Sequence, residues 1–186
     1  LTLLDFEALW LCMAEYNGLG FYNGGREAGA SQQHKHLQMV PLPLAPAGPP
    51  VPIAPLLPGP CPMAAAGTIP AFPFLHSYVR LRPDMAERPR EAAIETFELY
   101  AAMLKSVGMG TPGASPLPRQ SLPYCLLITR QWMLLVPRTR EHFEDISLNA
   151  LAFAGSFYVW NERQFDRLRA VGPMKALTAV TLPAGR

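Results

Sequence analysis

Residues 21–44 read FYNGGREAGASQQHKHLQMVPLPL, and no other part of the 186-residue chain gathers reactive side chains so densely. Asn23 comes first, then Ala28-Gly29-Ala30-Ser31-Gln32, and then His34, His36 and Gln38 at every second position. The small residues leave backbone N–H groups of Gly29, Ala30 and Ser31 unobstructed, and Ser31 and Gln32 add a hydroxyl and an amide. Such a loop suits the non-bridging oxygens of a phosphate. Read as a strand over 34–44, the period of two puts His34, His36 and Gln38 on one face and Lys35, Leu37 and Met39 on the other. An imidazole is mostly unprotonated near neutral pH and is a competent nucleophile at phosphorus. A neighbouring carboxamide donates a hydrogen bond to developing charge without supplying a proton.

Two other readings of HxHxQ stand beside this one. Two histidines on one strand face can bind a metal, but a third ligand would have to come from His76, His142 or a carboxylate, and the spacing nominates none. Histidines on half-buried strands also serve simply as hydrogen-bonded packing residues. The AGASQ loop just upstream tips the balance towards transfer of a phosphoryl-type group through a histidine intermediate.

Working outward, Phe6, Leu9, Trp10 and Met13 recur at helical spacing and predict a helix over 5–15, capped by Thr2 or Asp5 and ended at Asn17-Gly18. Residues 19–23 read as a short strand. Ten prolines between Pro41 and Pro62 predict a semi-rigid extended connection over the surface, with neither a collagen period nor a clean PxxP ligand. FPFLHSYVRL (72–81) returns to a strand pattern, with His76 among aromatics as a packing residue. Pro89 opens a helix to about Val107, with Ile94, Phe97, Ala101 and Leu104 on one face. A loop over 108–123 leads to YCLLIT (124–129) and WMLLVP (132–137), a hairpin of buried strands. Residues 146–160 are mixed and include another strand. A helix follows over 161–172, stopped by Gly172-Pro173, and 173–180 form a last turn or two. Strands and helices run in blocks, which favours an α+β fold.

Composition narrows the function classes. Sixteen basic against 14 acidic residues give +2, no footprint for nucleic acid or an anionic membrane. The 44 residues from His36 to Val79 carry no Asp, Glu, Lys or Arg, yet they hold twelve prolines and no apolar run of about 18 residues, so they do not read as a membrane span. Twenty-one prolines and 14 glycines stay below the roughly 25–30% that marks disorder throughout. Cys12, Cys61 and Cys125 are an odd count without a CxxC pair; they exclude a disulfide scaffold and a four-cysteine zinc site and suit a reducing compartment, expected to be the cytoplasm. Cys12 and Cys125 lie in apolar runs and read as core thiols. His142, between Glu141 and Glu144, reads as solvated.

The spacing of Asn23, Gly29-Ala30-Ser31 and His34-Lys35-His36-Leu37-Gln38 resembles the active-site stretch of diadenosine tetraphosphate phosphorylases, also called ATP adenylyltransferases, in the transferase branch of the histidine-triad superfamily. The Asn, GxS and HxHxQ element is shared with hexose-1-phosphate uridylyltransferases. YCLLITRQWMLLVPR (124–138), ISLNALAFAGSFYV (146–159) and GPMKAL (172–177) are similar to the C-terminal region of the adenylyl family. The resemblance implies a histidine-triad-like antiparallel sheet with flanking helices that lacks its N-terminal portion, a catalytic region over 1–82 and an ATP adenylyltransferase-type region over 83–186. It further implies reversible phosphorolysis of diadenosine tetraphosphate to ATP and ADP.

On this chain His36 would be the nucleophile and His34 a supporting residue. Asn23, Gly29, Ala30, Ser31, Gln32 and Gln38 would bind substrate. Gln38 stands where hydrolases of the superfamily keep histidine, and an amide cannot act as general acid or base. No metal ligand set is expected; a divalent cation such as Mg2+ would come with the polyphosphate. Cys125 stands where the family usually has Asn after Tyr, and the chain starts at Leu1 without the N-terminal strands and substrate-binding lysine of the family, which is the reading of a fragment. The alternatives are a truncated nucleotide-binding module that does not turn over, a uridylyltransferase or dinucleotide hydrolase, and a proline-rich interaction protein. The buried-strand hairpin argues against the last.

Overall fold

The apolar runs at 124–137 form the expected hairpin, β4 (Tyr124–Ile128) and β5 (Trp132–Pro137). The computed structural model describes residues 1–59, 66–110 and 122–184. Thr129 shapes the hairpin turn, its hydroxyl accepting from the N–H groups of Gln131 at 3.1 Å and Trp132 at 3.2 Å. Both strands are buried throughout, so alternate side chains enter two separate cores. Tyr124, Leu126, Ile128, Met133 and Leu135 face one; Cys125, Leu127, Trp132, Leu134 and Val136 face the other. A fully apolar strand with both faces covered sits in the middle of a layered fold.

Around the hairpin lies a five-stranded antiparallel sheet in the order β2-β1-β4-β5-β3, with β1 spanning Gly18–Gly24, β2 Leu37–Pro41 and β3 Ser77–Arg80. Helices α1 (Leu3–Glu15) and α2 (Pro89–Ser106) cover one face. At the start of α1 the Asp5 carboxylate accepts from the backbone N–H of Thr2 at 2.6 Å and from its hydroxyl at 2.8 Å, a capping box. The predicted stripe of Phe6, Leu9, Trp10 and Met13 is buried as read. Gly20 admits α1 to close range, since a Cβ there would stand 2.7 Å from Leu9 Cδ1.

The opposite face is covered differently. A two-strand ribbon of β6 (His142–Phe143) and β7 (Ile146–Ser147), a 3-10 turn over Ala150–Ala154, and helices α3 (Glu162–Val171) and α4 (Pro173–Ala179) bury Phe153, Leu168, Leu177 and Val180 against it. Of the strand expected within 146–160 only the two residues of β7 form, because Asn149 stops it by accepting from Leu151 N–H at 3.0 Å. No helix among the described residues is long and apolar enough to cross a membrane.

Other expectations change. The proline segment is more than a surface connection. Val51 and Ile53 are buried, and Ile53 N–H donates to Ala154 O at 3.2 Å, so residues between the prolines help cover the sheet face opposite α1 and α2. Pro60, Cys61 and residues 111–121 of the expected loop lie outside the described residues. On α2 the buried stripe is Ala93, Thr96, Tyr100, Met103 and Leu104, while Ile94 is half exposed. The helix is rotated by about one position because its Thr96 hydroxyl accepts the buried Trp10 indole N–H at 2.8 Å. Cys12 is exposed, on the flank of α1 away from the core, whereas Cys125 is a core thiol as read. His142 is exposed as read. Trp160, after the 3-10 turn, is 89% exposed.

His76 precedes β3 and is buried as a packing residue. Its Nε2 accepts from Ile69 N–H at 2.6 Å and its Nδ1 donates to Phe74 O at 2.7 Å, which requires the neutral ring. Burial pushes its pKa below the ordinary histidine value, against a smaller upward pull from the Phe74 carbonyl. The unfolded chain therefore takes the proton first as pH falls. The stability held by His76 is complete above about pH 6.5 and drains away as pH drops through the lower folded value. Thermal unfolding is expected at progressively lower temperature below that pH, with a flatter profile in a His76→Gln variant. Thr96→Val leaves the Trp10 N–H without its acceptor and is expected to cost about 1–3 kcal/mol in urea denaturation.

Candidate active site

Asn23 is the penultimate residue of β1, paired in register with Cys125 of β4. Its Oδ1 accepts from Ala150 N–H at 2.8 Å, a group that can only donate, and also faces the Cys125 thiol at 3.8 Å. This fixes which end of the carboxamide is which: the NH2 group is the end free to turn towards the adjoining clefts.

After Gly25 (φ 109°) the chain makes a 3-10 turn over Arg26–Ala28 and reverses at Gly29 (φ 87°). The loop closes on itself, with Ala28 N–H and Ala30 N–H donating to Gly25 O at 3.1 Å each and Gly29 N–H to Arg26 O at 2.9 Å. The amides of Gly29 and Ala30 are therefore spent inside the loop. Ser31 N–H, with its hydroxyl, has no acceptor among the described residues, so the loop donors left open to a ligand narrow to Ser31 and its C-terminal neighbours.

β2 begins at Leu37, later than the strand read from residue 34, and His34 and His36 lie in the exposed run before it. The alternation of faces nevertheless survives. Lys35 points back to α1, its ammonium 2.6 Å from Asp5 Oδ2. Leu37 and Met39 pack on the helix-covered core. Gln38 lies opposite Phe21 in the ladder and lines a cleft on the other face. The rings of His34 and His36 are 6.1 Å apart between centroids. A small recess brings Asn23, Ala30, Ser31, Gln32, His34, His36 and Gln38 together. Asp5, where burial opposes ionisation, is held below the ordinary carboxylate range because the hydrogen bonds from Lys35 and Thr2 outweigh it.

Two larger clefts flank this recess. One of about 550 Å³ runs along Tyr22, Gln32, Gln33, His34 and Lys35. The other, about 510 Å³, is walled by Phe21 and Gln38 on one side and by Glu141, Ser147, Asn149 and Tyr158 on the other. Asn23, Arg26, Ala30 and Ser31 line both. Ser147 donates to the Glu141 carboxylate at 2.5 Å.

Arg26, Glu141, Ser147, Asn149 and Tyr158 were not singled out from the sequence. Arg26 carried a signal, being the one cation between Asn23 and the histidines. The others lie more than a hundred residues away and arrive only through pairing of β1 with β4. A larger cavity of about 620 Å³ lies at the far end of the sheet beside Asn17, Arg80, Arg130 and Trp132. Its arginines are engaged with main-chain carbonyls, Arg80 with Pro58 O and Arg130 with Met13 O and Ala14 O, and it shares no residue with the histidine recess.

The loop is also held from outside. A Cβ at Gly29 would stand 3.2 Å from both Cα and Cβ of Asn149, in a left-handed backbone conformation. Gly29→Ala is expected to cost about 1 kcal/mol or more, a fall of about 2–4 °C in the unfolding temperature for a chain of this size.

Residues 1–59 match the family model of the Ap4A phosphorylase N-terminal domain, and residues 70–183 that of the ATP adenylyltransferase C-terminal domain. Compared with curated protein sequences, the chain has no significant match. Among solved structures the fold is similar to yeast Ap4A phosphorylase Apa2, with a TM-score of 0.73 at 21% identity over 100% of this chain and 65% of the yeast chain. The AMP complex of that enzyme gives 0.72 at 20% identity, over 98% of this chain and 63% of the other. Its Ap4A complex gives 0.75 at 19% identity, over 100% and 65%. This chain thus spans a little under two thirds of the yeast enzyme's length. With two family models laid end to end along the chain, over a sheet of the same fold, it belongs to the Ap4A phosphorylase and ATP adenylyltransferase family.

Proposed function

We propose that the chain is a nucleotidyltransferase acting on a dinucleoside polyphosphate, splitting diadenosine tetraphosphate by phosphorolysis into ATP and ADP, reversibly. The observation that carries this reading is the recess in which both histidines, Gln38, Ser31 and the oriented Asn23 converge between two open clefts. An imidazole nitrogen of His36 attacks the α-phosphorus of one half. The bond from that phosphorus to its bridging oxygen breaks, ATP departs with the bond's electrons, and an adenylyl group stays on His36. Inorganic phosphate then attacks the same phosphorus, the P–N bond breaks, and ADP leaves. The second displacement restores the imidazole.

Each remaining residue has a role its chemistry permits. His34, ring to ring with His36, supports the nucleophile. Ser31 and the Asn23 NH2 donate to phosphate oxygens, with Gln32 beside them and Gly29 and Ala30 shaping the loop. Gln38 donates to developing charge and cannot deprotonate a water, which favours transfer over hydrolysis. A divalent cation such as Mg2+ would come with the substrate, offsetting the charge of its phosphates. The partners are then ATP, ADP, phosphate and the diadenosine polyphosphate.

A second reading, a nucleotide-binding module that does not turn over, uses the same recess and clefts, because donors that hold phosphate oxygens need no nucleophile. Incubation with substrate radiolabelled at the α-phosphorus decides between them. The transferase reading expects acid-labile label on the chain that is lost in His36→Ala and released as ADP by added phosphate. Tight ADP binding without label or turnover would support the module. Release of AMP without phosphate would identify a hydrolase, and labelling by a uridylyl donor a uridylyltransferase.

A further inference from the structure

Arg138, just after β5, is 1% exposed and among the largest fully buried side chains, yet no carboxylate pairs with it among the described residues. A guanidinium taken out of water is costly unless every donor is satisfied. Here the partners are main-chain carbonyls, an aromatic ring and a sulfur. Its Nε donates to Val180 O at 3.2 Å, and its Nη2 to Arg140 O at 2.8 Å and Glu141 O at 3.2 Å. Its Nη1 donates to Cys125 Sγ at 3.2 Å, and the plane lies over the Phe153 ring at 5.2 Å from the centroid.

These contacts reach both walls of the histidine site. With the Cys125 sulfur accepting from Arg138, its S–H is left to point the other way, where Asn23 Oδ1 lies at 3.8 Å and Ala28 O at 3.6 Å. Ala28 ends the turn that carries the phosphate loop. The other end of the guanidinium pins the backbone from which Glu141 meets Ser147. Burial pushes the Cys125 thiol pKa up, against the opposing pull of Arg138, so the sulfur keeps the proton it donates.

We propose that Arg138 and Cys125 are positioning residues: the buried guanidinium aligns the thiol, the thiol and Ala150 N–H hold Asn23 with its NH2 towards the phosphates, and the same guanidinium fixes the Glu141 wall opposite. The inference builds on Asn23 as a substrate-binding residue, and it gives the Cys found where the family usually has Asn a definite task. A hydroxyl can perform that task and a methyl cannot.

The test uses the full chain with Cys125→Ser, Cys125→Ala and Arg138→Lys. Nitrogen NMR follows the Asn23 side-chain NH2 and the hydrogen exchange of Ala150 N–H. Calorimetry measures ADP affinity in a double-mutant cycle with Asn23→Ala. Cys125→Ala and Arg138→Lys are expected to shift the Asn23 NH2 signals and to speed Ala150 exchange, while Cys125→Ser stays near the parent. ADP affinity should fall about fivefold in Cys125→Ala and no further when Asn23 is already Ala. Unmoved Asn23 and Ala150 signals in Cys125→Ala, or losses that simply add with Asn23→Ala, would overturn the proposal. A chain that binds no ADP at all overturns the substrate reading instead, and the NMR still decides the positioning.

Discussion

Everything at the histidine site depends on the antiparallel pairing of β1 with β4, in which Asn23 lies opposite Cys125. β1 belongs to the part of the chain that matches the N-terminal family model, and β4 to the part that matches the C-terminal one. The ladder joins them into one sheet. It also sets register, because a slip of one residue would exchange the faces of every side chain on β4. Cys125 would then face the helices and Leu126 would meet Asn23. The two cores built on alternate residues of β4 and β5 resist that slip, since each face is packed over its whole length.

The faces of the sheet divide labour accordingly. On one, α1 and α2 form a conventional helix layer. On the other, little regular structure covers the strands: a 3-10 turn, two short helices and the segment around Val51 and Ile53. The residues of the histidine recess lie at the border of this irregular layer, where loops supply walls and the sheet supplies rigidity. The motif itself is anchored to the regular layer by Lys35, whose ammonium meets the carboxylate that caps α1.

Much of this was legible in the sequence because it depends on local signals. The period of α1, the apolar runs of β4 and β5, the stop at Gly172-Pro173 and the alternation of His34, His36 and Gln38 against Lys35, Leu37 and Met39 all reduce to spacing within a few residues. The misread elements depend on partners elsewhere. Ile94 looked as apolar as Tyr100, but the orientation of α2 follows the acceptor that Trp10 needs. Cys12 sits in an apolar run whose helix has only one side against the core. Val51 and Ile53 were masked by the prolines around them. At the site, Glu141, Ser147, Asn149 and Tyr158 carry no motif of their own. The resemblance reached their region, and only the strand pairing made them neighbours of Asn23.

The placement of the three tryptophans gives the molecule a built-in optical gauge. Trp10 sits in the core under the helices, Trp132 in the core on the opposite face, and Trp160 in solvent. Each layer of the sandwich thus carries one indole, and a third reports the bulk. Loosening of the helix layer alone would redden the emission of the first and spare the second, whereas loss of the irregular layer would do the reverse. Replacing one tryptophan at a time would let emission colour and quencher access distinguish which side of the sheet opens, without any added label.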